Sequence, residues 1–101
     1  MILGITEKEQ KIIDEILAEH KNDYKFYAYG SRVKGTHTQL SDLDILIKGS
    51  QEMPFDILEE LKHKFDNSSL PYVVNFSDYH KIDTNFYQQI EKDLTLIYPR
   101  P

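Results

Sequence analysis

Between Thr6 and Lys21 the apolar residues fall at Ile12, Ile13, Ile16 and Leu17, with His20 beyond them, while Lys8, Lys11, Glu15 and Glu19 take the intervening positions. Spacings of three and four put the first set on one face, so the pattern predicts a helix over Thr6–Lys21. Thr6 and Glu9 make a capping box, in which hydroxyl and carboxylate each satisfy a free backbone N–H, and Ile5 is placed to staple onto that turn. Asn22 and Asp23 stop the helix. The period then shortens. Lys25–Tyr29 (KFYAY) is aromatic-rich and bounded by turn residues, which reads as a strand. It runs into Gly30-Ser31, where Ser31 is set to cap a short helical turn that closes at Gly35. Thr36–Ser41 is polar and aperiodic, hence a loop. In Asp42–Lys48 the alternation sends Leu43, Ile45 and Ile47 one way and Asp42, Asp44 and Leu46 the other. Apolar residues on both faces predict a strand sandwiched between layers.

After the loop Gly49–Met53, Pro54 suits the first turn of a second long helix. Its inner face is predicted to be Phe55, Leu58, Leu61 and Phe65, with Glu59, Glu60, Lys62 and Lys64 outside, and Asn67-Ser68-Ser69 ends it. Tyr72–Ser77 (YVVNFS) is a third strand with one polar residue, Asn75, in its middle. Asp83 can cap a last helix with Phe86, Tyr87, Ile90 and Leu94 as its stripe. The tail LTLIYP is either the end of that helix or a short extended segment. The order αβ(α)βαβα is that of an α/β (α+β) fold with a small sheet flanked by helices. The first connection is too short for a crossover helix, so the first two strands are expected to pair antiparallel within a mixed sheet.

Composition narrows the class. At 101 residues, 1–101 is expected to form one domain. No run approaches the ~18 apolar residues of a membrane span, and the start MILGITEKEQK lacks the basic and apolar regions of a signal peptide. The chain has no cysteine, which excludes a disulfide framework, a thiolate metal site and a cysteine nucleophile. These features predict a cytoplasmic protein. A net charge of −5 argues against broad binding to nucleic-acid backbone. It leaves room for a pocket for one nucleotide, served by local cations among Lys25, Arg32 and Lys34.

The candidate chemistry lies in YAYGSRVKGTHTQLSDLDILIK, residues Tyr27–Lys48. Asp42 and Asp44 are two apart in a strand, so their carboxylates project side by side. Such a pair repels unless a cation joins it, and Mg²⁺ favours one or two carboxylates with waters and phosphate oxygens. Glycine lets a phosphate approach the backbone closely. The N–H groups opening the turn after Gly30 suit an anion, and the Ser31 hydroxyl can add a hydrogen bond. Gly-Ser and Asp-x-Asp are each common; a strand ending in one and a strand opening with the other is a far more specific conjunction.

Gly30-Ser31, ten residues, then Asp42-x-Asp44, with Arg32 and Gly35 between, resembles the signature of the polymerase-β-like nucleotidyltransferases, and of their minimal nucleotidyltransferase (MNT) members in particular. The resemblance covers most of the chain. It implies transfer of a nucleoside monophosphate, usually AMP from ATP, onto an acceptor hydroxyl with release of pyrophosphate. It further implies Gly30, Ser31 and Arg32 as nucleotide-binding residues, and Asp42 and Asp44 as catalytic ligands of Mg²⁺ (Mn²⁺ being an alternative). A HEPN-domain toxin is the implied partner, with the MNT protein as its antitoxin, and an oligomer is compatible with it. The family completes its metal site with a third carboxylate, which falls here at Asn75. Asn75 is then either a buried amide bonded to its neighbours or the mark of a weakened metal site, in which case a contact-only antitoxin becomes the alternative function. Asp78, three positions on, would face the other way in a continuing strand; it is placed in the turn after the strand and is not assigned to the metal. His37, His63 and His80 are scattered and read as surface residues; Tyr27, Tyr29, Tyr72 and Tyr87 read as core or core-edge.

Overall fold

The computed structural model describes residues 4–100; the leader reading at Met1–Leu3 lies outside the described residues. The elements are α1 (Glu7–Leu17), β1 (Tyr24–Tyr29), α2 (Ser31–Lys34), β2 (Leu43–Gly49), α3 (Phe55–Asp66), β3 (Val74–Asp78), α4 (Thr84–Ile90) and β4 (Thr95–Tyr98). The capping box at α1 is formed: Glu9 N–H donates to Thr6 Oγ1 at 3.1 Å, and Thr6 N–H to Glu9 Oε1 at 3.2 Å. Asp83 caps α4, its Oδ1 accepting from Phe86 N–H at 2.7 Å. Among the described residues, no helix is long and apolar enough to cross a membrane.

The sheet has four strands in the order β3-β2-β1-β4. β1 runs antiparallel to β2 and β4, and β2 runs parallel to β3 across α3. The mixed sheet is as the short first connection requires, and the ambiguous tail is a strand. A short 3₁₀ turn, Glu91–Asp93, ends the preceding helix, and pairing with β1 then puts Ile97 in the core at 1% exposure.

One face of the sheet carries Phe26, Ala28, Leu43, Ile45 and Ile47, closed by Ile13 and Leu17 of α1 and Leu61 and Phe65 of α3. On the other face Leu46 is equally buried, and α4 lies there, with Phe86 edge-on to Tyr29 at 5.9 Å between centroids. β2 is therefore sandwiched, as its two apolar faces predict. Phe55 departs from expectation and is 71% exposed. It precedes Leu61 by six positions, which at about 100° per residue turns it some 120° off the inward stripe. Ile57 takes its place beside Leu58, Leu61 and Phe65.

Candidate functional site

A single row across the sheet brings the chemistry together. The register sets Tyr29 of β1 opposite Asp44 of β2, and Asp44 beside Asn75 of β3. These three share the face that carries Leu46, because Leu43, Ile45, Val74 and Phe76 alternate with them into the core. Asp42, one residue ahead of β2, joins them through its side chain: Asn75 Nδ2 donates to Asp42 Oδ2 at 3.0 Å and to Asp44 Oδ1 at 3.2 Å. Asn75 is exposed, so of its two sequence readings the buried amide is corrected. A polar side chain on the open face of an edge strand has nothing to bury it.

Gly30 closes the site from the β1 side. Its backbone, φ 85° and ψ −154°, lies in a region that is essentially glycine-only. A Cβ there would sit 2.7 Å from Asp44 Oδ2. The missing side chain thus lets the Asp44 carboxylate lie against the start of α2, and the Gly-Ser turn and the Asp pair form one site. Gly30, not Ser31, is the N-cap of α2: its carbonyl accepts from the N–H groups of Val33 and Lys34, both at 3.1 Å. Ser31 is the first helical residue, where backbone N–H groups have no partner inside the helix. Gly35 ends the turn in the left-handed conformation, φ 78°, as its position predicts.

Arg32 does not point to this site, and its expected nucleotide contact is corrected. It is fully buried. Its Nε donates to the Ser41 carbonyl at 3.0 Å, Nη1 to Gly4 at 3.1 Å and Nη2 to Gln39 at 3.1 Å. The guanidinium also lies 4.0 Å over the Tyr72 ring. Every nitrogen of the fork is engaged with backbone, so Arg32 fastens the loop that delivers Asp42. Of the other cations, Lys25 sits opposite Lys48 at the far end of β1, and Lys34 Nζ lies 3.9 Å from Asp93. Neither is brought to the aspartates.

Asp78 is turned away, as expected, but it is the last residue of β3 rather than part of a turn. It is buried, Oδ2 accepting from Met53 N–H at 2.8 Å and Oδ1 from His80 N–H at 2.9 Å. His63 and His80 are exposed and His37 half-buried. Among the described residues, no three or more His, Cys, Asp or Glu side chains are grouped to hold a metal ion. The donor set is two carboxylates and one amide, which suits a hard cation that takes one or two carboxylates and completes its shell from phosphate and water.

Tyr29, read from the sequence as core or core-edge, is half-buried and stands beside the site. Its hydroxyl pairs with Ser77 Oγ at 3.0 Å. Burial pushes its phenol above the ordinary value; the Ser77 bond lowers it and the Asp44 charge raises it further. Part of the clue lies in KFYAY: Tyr27 and Tyr29, two apart, share one face of the strand, and the register with Leu46 and Asp44 makes it the aspartate face.

Residues 10–101 match the family described as polymerase beta, nucleotidyltransferase. The chain belongs to this nucleotidyltransferase family. Over 95 residues, 94% of this chain and 83% of its relative, it is 35% identical to a probable protein adenylyltransferase, MntA, of Haemophilus influenzae. Its fold matches a toxin–antitoxin crystallised with AMP-PNP, with a TM-score of 0.72 and 23% identity over 90% of this chain and 73% of the other. A tyrosine-to-alanine variant of the toxin–antitoxin MntA–HpeT gives a TM-score of 0.68 and 27% identity, covering 91% and 72%. The mixed sheet with its flanking helices is thus the polymerase-β-type nucleotidyltransferase fold, in an MNT member.

Proposed function

We propose that this one-domain nucleotidyltransferase is a cytoplasmic antitoxin that transfers AMP from ATP onto a hydroxyl of a HEPN-domain toxin, in a Mg²⁺-dependent reaction. The observation that carries the reading is the close approach of Asp44 to Gly30, which makes one site of two motifs. Similarity to a protein adenylyltransferase supports a protein acceptor, and similarity to toxin–antitoxin complexes supports a toxin as that protein.

In this reading Gly30 and Ser31 hold the triphosphate, the backbone approaching it closely and the hydroxyl donating to a phosphate oxygen. Asp42 and Asp44 would hold Mg²⁺, or Mn²⁺ in its place. Bound there, the ion would supply positive charge to the phosphate oxygens. The acceptor oxygen attacks the α-phosphorus, the bond to the bridging oxygen breaks, and pyrophosphate leaves. Asn75 carries no charge and takes up no proton. The acceptor proton therefore passes to a carboxylate of the pair or to water, without a dedicated base. Lack of a positioned base typically costs ~10²–10⁴-fold in rate, which suits a single modification of a tightly held partner.

Asn75 also favours a second reading, a nucleotide-binding module that neutralises the toxin by contact alone. Incubation of the purified protein with labelled ATP, Mg²⁺ and the product of the adjacent gene separates the two. Label on the partner, absent with the double variant Asp42→Asn/Asp44→Asn, supports the transferase. Absence of label, with inhibition of the partner retained in that variant, supports the contact module and overturns the enzyme.

A further inference from the structure

We infer that the site takes one divalent cation per chain, and that Asn75 sets this limit by bridging Asp42 and Asp44 and turning its amide over when the cation enters. The inference rests on the proposed role of Asp42 and Asp44 as cation ligands. It adds how many cations they take and what holds them before any arrives.

The bridge is the first ground. One NH₂ group reaches both carboxylates, Oδ2 of Asp42 at 3.0 Å and Oδ1 of Asp44 at 3.2 Å. A carboxylate can only accept, and an amide offers donors on one side and an acceptor on the other. The face Asn75 turns to the pair is therefore the donor face, which draws the two anions together as a weak substitute for a cation. Asn75 is held at this place by parallel pairing with Asp44, while its neighbours Val74 and Phe76 pack into the core. Its backbone is fixed, and its amide is exposed, held by its bonds to the two carboxylates. A half-turn about the terminal torsion, which is broad and two-fold, exchanges Nδ2 for the amide oxygen and makes Asn75 a neutral ligand.

Charge and ligand number are the second ground. Two divalent cations bring four positive charges, whereas Asp42 and Asp44 supply two negative ones. Among the described residues no third acidic or imidazole group stands with them. Gly30 fills its side with backbone, Tyr29 is engaged with Ser77, and Asp78 is spent on Met53 and His80 behind the sheet. The first cation neutralises the pair. Beyond the phosphate oxygens of a bound nucleotide, a second would find on the chain one uncharged amide oxygen, a poor set for an ion that takes anionic oxygens.

Equilibrium dialysis of the full chain against Mn²⁺, with and without AMP-PNP, counts bound metal as the excess over an analogue-only chamber. We expect one Mn²⁺ per chain, none with Asp42→Asn/Asp44→Asn, and two with Asn75→Asp at matched thermal stability. Two ions in the parent, lost in the double aspartate variant, would overturn the inference and leave the site standing. No Mn²⁺ with or without the analogue would overturn the site itself. One ion in both parent and Asn75→Asp would remove Asn75 as the cause. In parallel, the Asn75 side-chain amide resonances should shift on addition of Mg²⁺, and resonances that stay in place at saturation would overturn the rotation.

Discussion

Replacing Arg32 by alanine should damage the fold before it damages the chemistry. The buried guanidinium donates three hydrogen bonds, at 3.0, 3.1 and 3.1 Å, to the carbonyls of Ser41, Gly4 and Gln39, and covers the Tyr72 ring. Each carbonyl left without a donor costs about 1–3 kcal/mol. Water entering the vacated space recovers part of that, and the parent already pays to desolvate the charge. Three such carbonyls, less what water recovers, put the total at about 3–5 kcal/mol. Against the ~5–15 kcal/mol that a domain of this size has in hand, this is a large fraction. At about 4–8 °C per kcal/mol it lowers Tm by roughly 12–40 °C. Arg32→Lys should fall in between, because an ammonium cannot span three carbonyls in a plane or stack on the ring. Thermal and urea unfolding followed by circular dichroism give both numbers. A loss below ~1 kcal/mol together with abolished AMP-PNP binding would refute the structural role and return Arg32 to the nucleotide.

Gly30→Ala should cost on the order of 1–3 kcal/mol from its glycine-only backbone and push Asp44 aside, since the new Cβ would lie 2.7 Å from Oδ2; unchanged stability and Mn²⁺ affinity would contradict the close approach. Asp78→Ala leaves the Met53 and His80 N–H groups without their acceptor and should lose on the order of 3 kcal/mol. The conservative Asp78→Asn should bind Mn²⁺ as the parent does, and altered metal binding would place Asp78 in the site after all. Burial, then the charge and hydrogen bond of Glu9, push the Tyr72 phenol well above its ordinary value, with Arg32 opposing. Above about pH 10 the unfolded chain releases tyrosine protons that the folded chain keeps. The stabilisation is thus complete below that pH and fades as pH rises toward the folded-state value. Urea midpoints across that range should fall, and less steeply in Tyr72→Phe; an equal slope in the variant would argue against it.

Much of this architecture could be read from periodicity because the elements involved obey local rules. Thr6 and Glu9 cap α1 with each other, Asp83 caps α4, and β2 is apolar on both faces because it is covered on both. The juxtaposition of Gly30 with Asp44 followed from motif spacing and a connection too short for a crossover. What escaped was set by tertiary context. Arg32 reads as a surface cation beside a phosphate loop, and nothing local reveals that three carbonyls and a tyrosine from separate segments converge on it. Phe55 is apolar at the head of an amphipathic helix, and only the seating of α3 on Leu61 and Phe65 leaves it outside. The tail became a strand because β1 had a free edge. The exposure of Asn75 depended on β3 being the outermost strand, an order that no local pattern fixes.

The parallel pairing of β2 with β3 also bears on when the site comes into being. Asp42 and Asp44 arrive with the β1–β2 hairpin, but Asn75 lies 33 and 31 residues further on and joins only after α3 has carried the chain back across. Non-local pairings of this kind are slow to close. If Asp42 and Asp44 hold a cation as proposed, a chain whose β3 has yet to dock would offer it the aspartate pair without the amide between. Divalent ions present during refolding would meet a different site from the one they meet in the finished protein, and the order of addition becomes an experimental variable.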